Sequence, residues 1–178
     1  MFNIKLHGSY LGETGFNAHT QYFSRALSKY CNLKVRNFTV DKNFHPTKLD
    51  KDLIIEQTLW NENKKLLEFP PSWKGYIEPF AQDLDIVLAE TNHHYFYQNK
   101  YVKPKIAYNV WESTLQPDQF FEKLLEFDQL WVPTQWQKDC SIKQGYPEDK
   151  VKIVHEGLDS SFFPIPYSEV KGKFKFII

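Results

Sequence analysis

From Ile106 to Pro164 the chain reads as strand, helix, strand, helix, strand with no stretch left over, and this alternation restricts the fold more than any other feature. Ile106 to Val110 is a short β-prone run. Pro117 then opens a segment in which Phe120, Phe121, Leu124 and Leu125 recur at helical spacing. Leu130-Trp131-Val132 is a second strand, stopped by Pro133. Thr134, with Gln137 three residues on, has the form of a capping box, and Gly145 is placed to end the helix that it opens. Val151 to His155 is a third strand. Parallel strands need a crossover between them, so strands separated by single helices predict a parallel sheet with helices on its faces.

The N-terminal half offers the same kind of unit. Phe2 to Leu6 reads as a first strand, and HGSYLGETG follows with Gly8, Gly12 and Gly15. The next helix carries Phe16, His19, Phe23, Ala26, Leu27 and Tyr30 on the face expected to meet the core, with Asn17, Thr20, Ser24 and Ser28 mostly off it. Leu33 to Val40 is a second strand. Leu59 to Phe69 is compatible with a helix that Pro70-Pro71 must break, and DLDIVLAE, Asp83 to Glu90, has the apolar run of a buried parallel strand. The expected fold is α/β, a doubly wound, Rossmann-like parallel sheet.

Charge and cysteine usage narrow the function classes. Lys plus Arg equals Asp plus Glu at 22 each, which argues against a nucleic-acid partner or an acidic membrane surface. Cys31 and Cys140 form no CxxC pair, so a reduced, cytoplasmic protein is the simplest reading. No apolar run approaches the ~20 residues needed to span a bilayer, and Met1 to Leu6 is too short for a secretory leader. Peripheral contact with a membrane-bound acceptor stays open.

Four places could carry chemistry. A strand, a glycine loop and a helix N-terminus bring backbone N–H groups and the helix dipole to one point, a geometry that suits an anion. Gly8, Gly12 and Gly15 do not form the dinucleotide fingerprint or a Walker A loop, so a tight turn is the alternative reading. Ligands of such folds lie beyond the carboxyl ends of the strands, where His93, His94 and the Trp111-Glu112 pair would open beside the glycine loop. Adjacent histidines alternate sides, so at most one of His93 and His94 faces a cleft, and a surface or core role is the alternative. With no third ligand at a useful spacing, no metal is expected. Glu112 either reaches an acceptor or starts the next segment, and Trp111 packs. Asp159 in HEGLDSSFFP is read as fixing a local turn, and His155 and Glu156 likewise.

Several of these pieces share one order: Asp128, the apolar strand Leu130 to Val132, Pro133, Gly145, Val151 to Val154, Gly157-Leu158-Asp159, Phe163 and Pro164. In that order they resemble the latter part of the N-terminal domain of family 4 glycosyltransferases of the GT-B fold. The resemblance extends to both ends of the chain and leaves only residues 41 to 80 unmatched. It implies the N-terminal half of a GT-B enzyme, which transfers a sugar from a nucleotide-diphosphate sugar to a saccharide, lipid-linked or other hydroxyl acceptor, with retention at the anomeric carbon and no separate cofactor. On this resemblance Gly12, Thr14 and Gly15 border the donor phosphates, although the family often has two adjacent glycines where Thr14-Gly15 stands. Asn17, His93 and Glu112 are then acceptor-side candidates. Residues 1 to 166 would form the acceptor-side domain, and the linker from Tyr167 would lead into the first strand, Phe174 to Ile178, of a second, nucleotide-sugar-binding domain. The main donor-site residues belong to that second domain, so the catalytic residues are unassigned and this half alone is expected to transfer little or no sugar.

Two rivals share the pattern. A nucleotide-cofactor oxidoreductase could use the same strand, loop and helix, with Asp41 as ribose ligand, but the glycine fingerprint is missing. A non-enzymatic glycan- or partner-binding α/β module needs no second domain.

Overall fold

The computed structural model describes residues 1–38, 48–57, 59–61, 66–68, 81–90 and 104–157. The elements in chain order are β1 (Asn3–Gly8), α1 (Gly15–Leu27), β2 (Asn32–Asn37), α2 (Lys48–Leu53), β3 (Ile54–Gln57), β4 (Leu59–Asn61), β5 (Leu66–Glu68) and β6 (Leu84–Glu90). There follow β7 (Lys105–Val110), α3 (Asp118–Leu124), β8 (Gln129–Val132), α4 (Gln135–Gln144), a 3-10 turn at Glu148–Lys150 and β9 (Val151–Ile153). Seven strands form one sheet in the order β3-β2-β1-β6-β7-β8-β9, each neighbouring pair parallel. The chain leaves β1 toward β2 and β3, then crosses to β6 and continues the other way. The junction of β1 and β6 is therefore the switch point, where a crevice opens beyond the carboxyl ends of the strands.

Alternation along the strands splits the core into two clusters. Ile4 and Leu6 of β1, Val35 of β2 and Ile86 of β6 face one way, with Phe23 and Leu27 of α1 packed against them. Val87 and Ala89 of β6, Ala107 of β7 and Leu130 of β8 face the other way, against Phe121 and Leu124 of α3 and Ile142 of α4. Helices thus cover both faces, and the layout is the doubly wound α/β fold that the strand–helix alternation predicts. At the amino edge, Asp128 accepts the Lys105 N–H at 2.9 Å and returns its own N–H to the Lys105 carbonyl, aligning β7 with β8. Gly145 ends α4 in the left-handed region at φ 114°, which accounts for glycine there.

Three expectations change. The face that α1 buries is Asn17, Thr20, Gln21 and Ser24, roughly a third of a turn from the aromatic face expected to pack inward. Tyr30 is 82% exposed and Ala26 is exposed, while Phe23 and Leu27 only edge onto the core. Small polar side chains win because the helix lies close against the sheet: a Cβ on Gly8 would stand 2.8 Å from the Leu88 carbonyl oxygen and 3.0 Å from Thr20 Cγ2. Within Leu59 to Phe69, β4 and β5 pair antiparallel in place of the expected helix. A helix of so few turns is marginal by itself, whereas Leu59 to Asn61 and Leu66 to Glu68 gain a shared ladder by pairing. At α4, Thr134 Oγ1 accepts the Gln137 N–H at 3.1 Å, but the Gln137 carboxamide donates to the Asn109 carbonyl instead of closing the box. His93, His94, Asp41, Asp159 and the linker and strand expected from Tyr167 onward lie outside the described residues.

Beneath the sheet's α3 and α4 face, His7 Nε2 lies 3.3 Å from Asp85 Oδ2, both side chains almost wholly buried. Asp85 favours the imidazolium, while Arg36 and Lys5 oppose it, but burial is the largest influence and holds His7 below its ordinary pKa. A histidine held low is neutral when folded, so its contribution to stability is intact above the unfolded value near 6.5 and is lost as pH falls toward the folded value. Urea unfolding midpoints should therefore drop between pH 7.5 and 5.5, and the drop should shrink in His7→Gln; a midpoint that does not respond to pH in the native chain contradicts this account.

Candidate functional site

The loop between β1 and α1 is built by carboxamides. Asn37, fully buried at the end of β2, accepts the N–H groups of Tyr10 at 2.6 Å and Leu11 at 3.0 Å through one oxygen. From the other side Gln21 of α1 donates to the carbonyls of Tyr10 at 2.8 Å and Gly12 at 3.0 Å. Neither residue stands out in the sequence, because nothing local marks a carboxamide that serves a loop nine or more residues away.

Of the phosphate-loop candidates, Thr14 is the N-cap of α1. Its hydroxyl donates to Asn17 Oδ1 at 2.6 Å and accepts the Asn17 N–H at 3.4 Å, while its own N–H reaches the same Oδ1 at 3.1 Å. Asn17 completes this capping box and is buried, which places its carboxamide in the loop wall. Gly12 is filled from within: a Cβ there would meet Asn17 Oδ1 at 2.5 Å. Gly15 differs, since a Cβ there would meet no atom within 4 Å. As the first helical residue, Gly15 also has an N–H with no intrahelical acceptor.

Open space beside Gly15 belongs to a cleft of about 500 Å³. One wall is α1, with Ala18, His19, Tyr22 and Arg25; the other is His155-Glu156-Gly157, the chain just beyond β9. Three contacts hold that second wall. Val154 donates its N–H to Val132 at 2.9 Å and accepts the Tyr108 hydroxyl at 2.6 Å, and His155 Nδ1 donates to the Pro133 carbonyl at 2.8 Å. Across the cleft His19 Nδ1 lies 3.0 Å from Glu156 Oε1 without the alignment of a hydrogen bond. The His19 ring stands edge-on to Tyr108 at 4.8 Å. Burial holds His19 below its ordinary pKa although Glu156 opposes it, and burial together with Glu156 pushes the Tyr108 phenol well above the usual range.

The chain matches no model of a known protein family and no curated protein.

Glu112 is exposed just beyond β7 and does not cap α3, whose N-cap is Pro117 with no side-chain bond. Trp111, half-buried, donates its indole N–H to the Leu115 carbonyl at 2.9 Å. Neither is among the residues lining the cleft. Among the described residues no group of three His, Cys, Asp or Glu could hold a metal ion, and no helix is long and apolar enough to cross a membrane.

The two glycines should separate experimentally. Gly12→Ala forces Asn17 off the cap and should lower stability by about 1–2 kcal/mol, the usual cost of a lost N-cap. Gly15→Ala, with free space around it, should leave the urea midpoint unchanged or slightly raised. Equal losses in both variants would contradict the assignment of Gly12 to internal packing.

Proposed function

We propose that these residues form the acceptor-side domain of a GT-B glycosyltransferase, which transfers a sugar from a nucleotide-diphosphate donor to a hydroxyl acceptor with retention. The observation that carries the reading is the cleft at the carboxyl edge, where Gly15 of the first helix faces the segment that follows the last described strand. The resemblance to family 4 enzymes supports it, because its motif residues fall at structural joints: Asp128 at the start of β8, Pro133 at its end, Gly145 at the stop of α4 and Gly157 in the cleft wall. The rival oxidoreductase has no comparable support, since Gly12 is occupied by Asn17 and not open to a dinucleotide.

On this reading the domain positions and polarises. The N–H groups of Gly15 and Phe16, at the positive end of α1, would face the donor's diphosphate and stabilise charge developing on the leaving group. The acceptor hydroxyl would be fixed by the cleft, so that its approach to the anomeric carbon is no longer a chance encounter. Most donor contacts are assigned to a second α/β domain, as the resemblance implies.

Gly15→Val tests the proposal, because a Cβ there meets no atom within 4 Å and the side chain therefore starts from open space on the cleft wall. In the protein encoded by the full reading frame, binding of UDP-glucose or GDP-mannose, measured by titration calorimetry, should weaken at least tenfold while the unfolding midpoint holds. Binding that survives unchanged in Gly15→Val would overturn the assignment of this loop to the donor.

A further inference from the structure

The loop that carries Gly12, Thr14 and Gly15 is held by the helix that it opens. Gln21, buried on the sheet-facing side of α1, donates through a single nitrogen, Nε2, to the carbonyls of Tyr10 at 2.8 Å and Gly12 at 3.0 Å. One turn earlier on the same face, Asn17 Oδ1 accepts the Thr14 N–H at 3.1 Å and the Thr14 hydroxyl at 2.6 Å. Gly12 is packed on that carboxamide, since a Cβ there would stand 2.5 Å from Asn17 Oδ1. Gln21 is thus joined to the first residue of α1 through the Gly12 carbonyl, the Asn17 carboxamide and the Thr14 cap. Gly15 lines the cleft and Gln21 does not.

From this arrangement we infer that Gln21 is a positioning residue for the anionic donor: without touching the ligand, it keeps the carbonyls of Tyr10 and Gly12 turned to α1 and away from the diphosphate. This assignment rests on the reading of the Gly15 loop as the donor's site and deepens it. Rotation of a peptide unit about its flanking bonds exchanges its N–H for its C=O, and so reverses the charge that it presents. The Tyr10–Leu11 peptide is held at both ends, its carbonyl by Gln21 and its N–H by Asn37. The Gly12–Glu13 peptide is held at one end, since among the described residues its only hydrogen bond is the one from Gln21 to the Gly12 carbonyl. Glycine on one side of that peptide offers little steric resistance to rotation, so the bond from Gln21 is what keeps it in place. A released Gly12 carbonyl would bring negative charge beside the N–H groups of Gly15 and Phe16, which the donor reading assigns to the diphosphate. Gln21 therefore prepares the loop before the ligand arrives, and the ligand does not have to pay for ordering it.

The test compares Gln21→Met, which keeps the length of the side chain and removes the donor, with Gln21→Lys, which keeps N–H groups within reach of both carbonyls. UDP-glucose and GDP-mannose are titrated calorimetrically into the protein encoded by the full reading frame, and its amide resonances are recorded by NMR without ligand. Gln21→Met should weaken binding at least tenfold and shift the amide resonances of Glu13 and Gly15, while those of α4, on the other face of the sheet, stay in place. Gln21→Lys should bind within threefold of the native chain at 300 mM salt, where the attraction of its charge for the diphosphate is screened. Ile142→Ala, which thins the core on the α3 and α4 face, controls for stability alone: it should lower the urea midpoint and leave the affinity unchanged. A second donor-free variant, Gln21→Leu, is read in the same way and decides the matter if Gln21→Met does not fold. Native affinity in the donor-free variants, a Gln21→Lys variant that binds no better than they do, or an equal loss in Ile142→Ala overturns the inference and leaves the donor site standing. If neither nucleotide sugar binds the native protein, the donor reading itself falls, and the role of Gln21 with it.

Discussion

A single carboxamide oxygen, Oδ1 of Asn37, sets the shape of the carboxyl edge. It takes the N–H groups of two successive residues, Tyr10 and Leu11, in a place where neither can reach water. A buried N–H left unpaired costs about 1–3 kcal/mol, so two on one acceptor make that acceptor hard to replace. Asn37 can serve them because β2 lies beside β1 in parallel, with Asn37 in register with Gly8. The loop therefore depends on strand order as well as on its own glycines. Gln21 then has to reach in from α1 to satisfy the carbonyls of Tyr10 and Gly12, and this requirement fixes the rotation of the helix about its axis.

That rotation has a cost and a consequence. With Asn17, Thr20, Gln21 and Ser24 turned to the sheet, α1 contributes less apolar burial than its aromatic content would allow. Close approach and polar satisfaction compensate, and Gly8 permits the approach by leaving room for Thr20. Of the residues expected at the interface, His19 and Ala26 come instead to line the cleft, with Tyr22 beside them. The same helix thus holds the loop with one face and presents a binding wall with another.

These relations explain which parts of the fold were legible in the sequence. The strands β6 and β7 declare themselves because both faces are buried, and burial selects near-continuous apolar runs, while β8 and β9, with one face less covered, are short and are marked by the helices and turns around them. The bond of Asp128 to Lys105 spans two strands and has no local mark, whereas Gly145 is legible because its role is local. The orientation of α1 is not, since hydrophobic periodicity counts apolar side chains and the decisive contacts are side-chain amides to loop carbonyls. Glycine spacing is equally silent on which glycine is filled and which is open: Gly12 and Gly15 look alike until Asn17 is seen against the first. The facing of His19 and Glu156 joins the first helix to the end of the last described strand, and no local signal could announce it.

The balance of forces across the cleft bears on how it can work. Glu156 is half exposed, so its attraction for His19 is screened by water and contributes little to stability. Burial dominates at His19 and keeps the ring neutral despite the carboxylate. The wall beyond β9 is held instead by uncharged hydrogen bonds, from Tyr108 to Val154, from Val154 to Val132 and from His155 to Pro133. Breaking the misaligned contact between His19 and Glu156 would therefore disturb neither wall.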